Sequence, residues 1–160
     1  EVFMYSTGDK ILYPMHGAGI IRQIQACEIL GETKDYYLLR VPCGNMEVMI
    51  PVDSCDDIGV RPVGTQKEID EAISVLGQPS TEMSSNWNKR YRENMEKIKT
   101  GNILLVAEIV RNLTRIDRKS RLSAGEKKML ANARKILQSE VMLVMDTTEE
   151  AALDLIESAI

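Results

Sequence analysis

The sequence has one histidine, His16, in 160 residues, and three cysteines, Cys27, Cys43 and Cys55, with no C-x-x-C pair among them. A zinc site of Cys/His type lacks well-spaced ligands, and any Ser/His or Cys/His catalytic set would rest on His16 alone. His16 is therefore read as structural and no metal is expected. Three widely spaced cysteines indicate reduced thiols in an intracellular protein. No apolar run approaches the roughly 18 residues of a membrane helix, and no charged-then-apolar leader opens the chain. A cytoplasmic protein without membrane contact is expected. Met4, followed by Tyr5-Ser6-Thr7-Gly8-Asp9, reads as a natural start, and Glu1 to Phe3 are set aside. No P-loop or paired-carboxylate motif is present. In His16-Gly17-Ala18-Gly19-Ile20-Ile21, Arg22 stands where a dinucleotide fingerprint needs its third glycine, so these glycines serve a turn. The expectation is a non-enzyme without cofactor.

What is present is enough apolar matter for a core, 44% of the chain, and a marked segregation of charge. The net charge of −4 hides three blocks. Residues 1–86 sum to −7, residues 87–135 to +9 and residues 136–160 to −6. A basic middle between acidic flanks fits a surface that meets phosphates, although charge on helices is also how a solvated face looks.

The first 63 residues are broken at short intervals by turn signals: Gly8-Asp9, Gly17-Ala18-Gly19, Gly31-Glu32, Cys43-Gly44-Asn45, Pro51 and Gly59. Between them lie β-rich runs at 10–13, 19–30, 36–41, 46–50 and 60–63. About five strands in an antiparallel meander suit a Tudor-like or SH3-like barrel. Alternation in the fourth run puts Met46, Val48 and Ile50 inward, with Glu47 and Met49 outward. From Thr65 the period changes to about 3.6. Capping-box signals at Thr65–Glu68, Ser123–Glu126 and Thr147–Glu150, with Gly77, Pro79 and Gly101 as stops, predict helices near 66–76, 86–99, 102–118, 124–144 and 148–159. The fold class is thus α+β, a small antiparallel Tudor-like barrel over 4–63 followed by an all-helical domain of about five helices over 65–160.

The only tryptophan, Trp87, opens one of these helices in Asn86-Trp87-Asn88-Lys89-Arg90-Tyr91. The spacing Trp87, Tyr91, Met95, Ile98 is a helix face, which makes Trp87 the first core residue of a stripe. Its place in the first turn, among polar caps and cations, allows it equally to protrude. Lys89, Arg90 and Arg92 surround it, and Arg115, Arg118, Lys119, Arg121, Lys127 and Lys128 gather at a later junction. If the two groups converge they form a phosphate-tracking surface, beside which an aromatic ring can wedge between bases.

The runs GDKILYPMHGAGII, ILGETKDYYLLRVP, MEVMIPVD and IGVRPV, with NWNKRY, VAEIVRNL and LSAGEKKMLANARKIL, closely resemble the CarD/CdnL family of bacterial RNA polymerase-binding regulators, from Met4 to about Val144. The resemblance implies an N-terminal module docking on the RNA polymerase β subunit and a helical domain reaching promoter DNA, largely without sequence preference. It also implies that Trp87 is the minor-groove wedge favouring the open complex, with Lys89, Arg92 and Lys127 on the DNA backbone. Arg90 and Arg118 join this DNA-binding set from the charge clusters. Cys27, Glu47 and Met49 fall on the polymerase-binding sheet. Better-known actinobacterial members carry arginines at the positions of Cys27 and Met49, so docking here leans on apolar contact and strand pairing. Two other readings stay open, an autonomous DNA-binding protein and a protein–protein adaptor. A monomer is expected.

Overall fold

The computed structural model describes residues 3–160, and Glu1 and Val2, part of the segment set aside above, lie outside it. The N-terminal half is one antiparallel sheet of strands β1 (Lys10–Tyr13), β2 (Gly17–Ile29), β3 (Glu32–Val41), β4 (Met46–Pro51) and β5 (Arg61–Pro62), in the order β4-β3-β2-β1-β5. The Tudor-like meander is present, with β4 and β5 as its edges. The alternation that predicted the strands also fills the core. Ile11, Ile21, Tyr37, Leu39, Val41 and Ile50 are fully buried, each contributing about 1.5–3 kcal/mol relative to exposure. Gly19 is required by proximity, because a Cβ there would lie 2.5 Å from the Arg40 carbonyl oxygen. A register shift between Ile21 and Gln23 is the only irregularity in the β2–β3 ladder, the sort of bulge that bends a long strand over the core.

One element was not foreseen. Between β4 and β5 the chain makes a 3-10 turn, Val52–Ser54, and one α-helical turn, α1 (Cys55–Ile58), closed by Gly59 at φ 87°. The last strand is correspondingly shorter than the run 60–63, since only Arg61 and Pro62 pair with β1.

The helical half comprises α2 (Gln66–Gly77), α3 (Trp87–Lys99), α4 (Ile103–Ser120), α5 (Ala124–Met145) and α6 (Glu149–Ala159). Thr65 and Glu68 form the expected reciprocal box. The other two boxes are altered. Ser123 accepts from the Glu126 N–H, but the Glu126 carboxylate turns away to Arg90. At the start of α6 the cap is Thr148, accepting from Ala151, so the box read at Thr147 and Glu150 does not form.

The two halves share a core: Leu12 and Ala18 of the sheet pack in the helical cluster with Ile136, Leu137 and Val141 of α5. Polar groups complete the seam. The Ser139 hydroxyl accepts from the Ala18 N–H (2.8 Å) and donates to the Ile136 carbonyl (2.8 Å). Glu140, fully buried, accepts from Arg61 Nη1 (2.7 Å) and Nη2 (2.9 Å) and from the Gly64 N–H (2.8 Å). Arg61 also donates to the Gly101 carbonyl from Nε (3.0 Å) and Nη2 (2.7 Å), reaching the α3–α4 turn.

Candidate nucleic-acid interface and docking face

Asn86 caps α3, its side-chain oxygen accepting from the Lys89 N–H (3.2 Å), which places Trp87 at the first helical position. Side chains in a first turn lean back over the chain that enters the helix, and here that chain is the exposed loop ahead of Asn86. The stripe therefore grades outward: Ile98 is buried, Met95 and Tyr91 are half-buried, and Trp87 is 56% exposed. A solvated indole is costly, because an aromatic ring of this size normally buries 150–250 Å².

The cations around it divide into two kinds. Lys89, Arg92, Arg118 and Lys127 are exposed, Lys89 making only a surface pair with Glu93 (3.8 Å). Arg90 is different, because it has a buried partner. Its guanidinium is bidentate on Glu126, Nε to Oε2 at 2.8 Å and Nη2 to Oε1 at 2.7 Å, and that hydrogen bonding raises its pKa further. Glu126 is 2% exposed, so the pair neutralises itself inside the seam between α3 and α5. Arg115 is likewise occupied: it donates to the Gln78 (2.7 Å) and Leu76 (3.1 Å) carbonyls and to the Ser80 hydroxyl (2.9 Å), closing the C-terminal end of α2. No basic residue lies in the last turn of α2, so α4 supplies the positive charge its dipole favours.

Arg90 still matters to the surface. The Arg90–Glu126 pair sets the start of α5 against the start of α3, and a Cβ on Gly125 would lie 3.9 Å from the Tyr91 ring. Lys127, one residue beyond Glu126, is thereby brought to the same end of the bundle as Trp87. The turn at residues 121–123 holds the last turn of α4, with Arg118 and Lys119, beside that of Lys127. Arg121 there has φ 65°, a conformation unusual for a side chain with a Cβ. The two charge clusters of the sequence thus meet at one end.

On the sheet, register decides the faces. Cys27 pairs with Lys34, Met49 with Leu38 and Glu47 with Arg40, and on β3 these partners alternate with the buried Tyr37, Leu39 and Val41. Cys27, Glu47 and Met49 therefore share the outer face, with Met49 40% exposed and Cys27 half-buried. Tyr36 and Leu38, both half-buried, belong to the same face and were missed. The signal was available, since Tyr36-Tyr37-Leu38-Leu39 puts apolar residues on both sides of a strand. β4, which carries Glu47 and Met49, is also a sheet edge with unpaired backbone groups.

Among the described residues no group of three or more His, Cys, Asp or Glu could hold a metal ion, and no helix is long and apolar enough to cross a membrane. His16 is exposed and stacks on Tyr13 with ring centroids 4.3 Å apart. Its pKa is lowered, first by desolvation and then by Lys135.

Comparison with known proteins covers both halves. Residues 5–64 match the CarD-like/TRCF RID domain, and residues 71–157 match the CarD C-terminal domain. A Bacillus subtilis (strain 168) protein described as "Putative transcription factor YdeB" is 40% identical over 147 residues, which is 92% of this chain and 96% of that protein.

Proposed function

The chain belongs to the CarD family of transcription factors, and on that footing we propose that it is a polymerase-tethered wedge for promoter DNA. Its sheet module, 4–63, docks on the RNA polymerase β subunit through the outer face bearing Cys27, Glu47 and Met49. Its helical module, 65–160, carries Trp87 to the upstream edge of the melted bubble, while Lys89, Arg92, Arg118 and Lys127 hold backbone phosphates. The protein acts as a cytoplasmic monomer, associated with the nucleoid through the polymerase, and performs no catalysis.

The observation that carries this reading is the 56% exposed indole at a helix start, beside the exposed cations Lys89 and Arg92. A ring left in water at that cost suits insertion into an unstacked base step, where the energy of unstacking is offset by stacking and groove contact. Four phosphate contacts give a salt slope of about −3.6 and leave affinity for free DNA weak, on the order of 10⁻⁴ to 10⁻⁵ M. Tethering at an effective concentration of about 1 mM raises occupancy to roughly 90% or more. Because the wedge binds opened DNA better than closed, it shifts that equilibrium, and a difference of about 1.4 kcal/mol is tenfold.

The test is Trp87→Ala. Open-complex lifetime on a competitor-challenged promoter should fall about tenfold while pull-down of the polymerase β subunit stays at the wild-type level. Loss of pull-down by a folded variant would remove Trp87 from the role assigned to it.

A further inference from the structure

Between the segment Ser80–Ser85 and the C-terminal half of α4 lies a cleft of about 380 Å³. Its polar lining includes Ser80, Ser84, Ser85, Asn112, Arg115 and Lys119, and among the described residues no carboxylate lines it. Arg115, whose hydrogen-bond partners are all neutral, keeps its charge undiminished at the wall. Behind it Arg111, only 2% exposed, donates to the Val75 carbonyl, Asn112 Oδ1 and Thr81 Oγ1, again all neutral. Burial lowers the Arg111 pKa, Glu108 opposes that shift, and Arg115 adds a smaller lowering. Glu108 itself accepts from Thr81 (2.7 Å) and pairs with Lys97 (3.7 Å). Arg90 borders the cleft too, but Glu126 neutralises it. The result is a concave site with cations at its wall and rim, Arg115 and Lys119, and with Glu108 and Glu126 set back behind Thr81 and Arg90, an arrangement that suits an anion.

We propose that this cleft is a phosphate subsite, which receives a backbone phosphate of the strand running past Trp87. This rests on the nucleic-acid reading above. Ser85 precedes Trp87 by two residues, so the two are within about 7 Å along the chain, and a strand engaged by the indole passes the cleft mouth. The donors needed are in place. Ser80 Oγ accepts from Arg115 and Ser84 Oγ accepts from the Asn86 N–H (3.2 Å), which leaves both hydroxyl protons to donate. Lys119, exposed at the rim, adds a mobile ammonium.

The test uses the full chain and a duplex carrying a short bubble, with affinity measured against salt. Lys119→Gln should reduce the salt slope by about 0.9 and weaken binding about fivefold to tenfold. Ser84→Asp places a carboxylate where the phosphate would sit and should weaken binding about tenfold. Ser74→Asp, the same charge change on the exposed face of α2, should weaken it less than about twofold. An unchanged slope in Lys119→Gln, or equal losses from the two aspartates, overturns the subsite. A second arm omits DNA and follows the backbone amides of residues 80–85 by NMR during titration with inorganic phosphate. Amides that move in the wild type and not in Ser84→Asp support the subsite, and amides that do not move overturn it. If phosphate moves them but the wild type fails to bind the bubble duplex, the nucleic-acid reading falls while the anion site stands.

Discussion

Replacing Arg61 by Ala should be among the most damaging single changes outside the apolar core. Glu140 is 0% exposed and accepts three hydrogen bonds, two of them from Arg61. Without the guanidinium a buried carboxylate keeps one donor, the Gly64 N–H. Breaking a buried pair in this way costs about 3–5 kcal/mol. The Arg61 side chain is 29% exposed, so water can enter the vacated space, which points to the lower end, about 3 kcal/mol. The lost bonds to the Gly101 carbonyl add about 1 kcal/mol. Glu140→Gln is milder, about 1–2 kcal/mol, because it buries no unpaired charge and leaves Arg61 bonded to Gly101 and Pro62. Urea titration followed by far-UV circular dichroism gives both values. For a chain of this size about 4 kcal/mol corresponds to roughly 8–16 °C in Tm. Equal costs for the two variants, or a cost under about 1 kcal/mol for Arg61→Ala, would refute the claim that this pair locks the modules.

The other predictions separate structural residues from those of the proposed interface. Arg90→Ala leaves Glu126 buried without its partner and should cost about 3 kcal/mol, whereas Lys89→Ala and Arg92→Ala should stay within about 0.5 kcal/mol in the same urea titrations. Arg90→Lys should recover only part, since an ammonium cannot reproduce the fork on Glu126. Gly19→Ala should fail to give folded protein, because the new Cβ meets backbone and the Leu39 side chain (2.8 Å) rather than a movable tip. Maleimide should label Cys27 first in the native protein. Cys55 is buried, and the buried Cys43 thiol is pushed up to about 11 by desolvation and then by Glu149, leaving about 0.1% thiolate at pH 8. Because the folded thiol stays neutral where the unfolded one ionises, stability should fall as pH rises from about 9 toward about 11, by less in Cys43→Ser.

Legibility followed sequence separation. Helix starts were readable because a cap and its acceptor lie within three residues, as at Thr65 and Glu68. Strand faces were readable because alternation needs only neighbours, and Met49 is outward as the pattern required. The roles of individual cations were not readable. Lys89, Arg90 and Arg92 look alike in sequence, and what distinguishes Arg90 is a carboxylate 36 positions away. Arg115 was grouped with Arg118 and Lys119 for the same reason, although its partners lie 35 to 39 positions back. Trp87 was undecidable from periodicity, since a stripe residue at a helix start can end in the core or beyond it. The answer depends on whether another element faces the first turn of α3.

These long-range pairs give the molecule its mechanical character, and α5 shows how. At 22 residues it is about 33 Å long. Near its C-terminal end Ser139, Glu140 and the Leu143 carbonyl, which accepts from Lys10 Nζ at 3.2 Å, are fastened to the sheet. At its N-terminal end Glu126 is fastened to α3, one helical turn from Trp87, and Lys127 stands free. A single rigid element therefore runs from the sheet to the proposed interface, with about 18 Å of helix between Lys127 and Ser139. On the proposed mechanism this rigidity sets how tethering works. A flexible joint would let the indole sample many positions, and the strand would have to capture it from that spread at an ordering cost of about 1–2 kcal/mol per residue fixed. With both ends of α5 clamped, that order exists before the polymerase is met. Weak phosphate contacts then suffice, because they act on a ring already held at a fixed distance from the docking face.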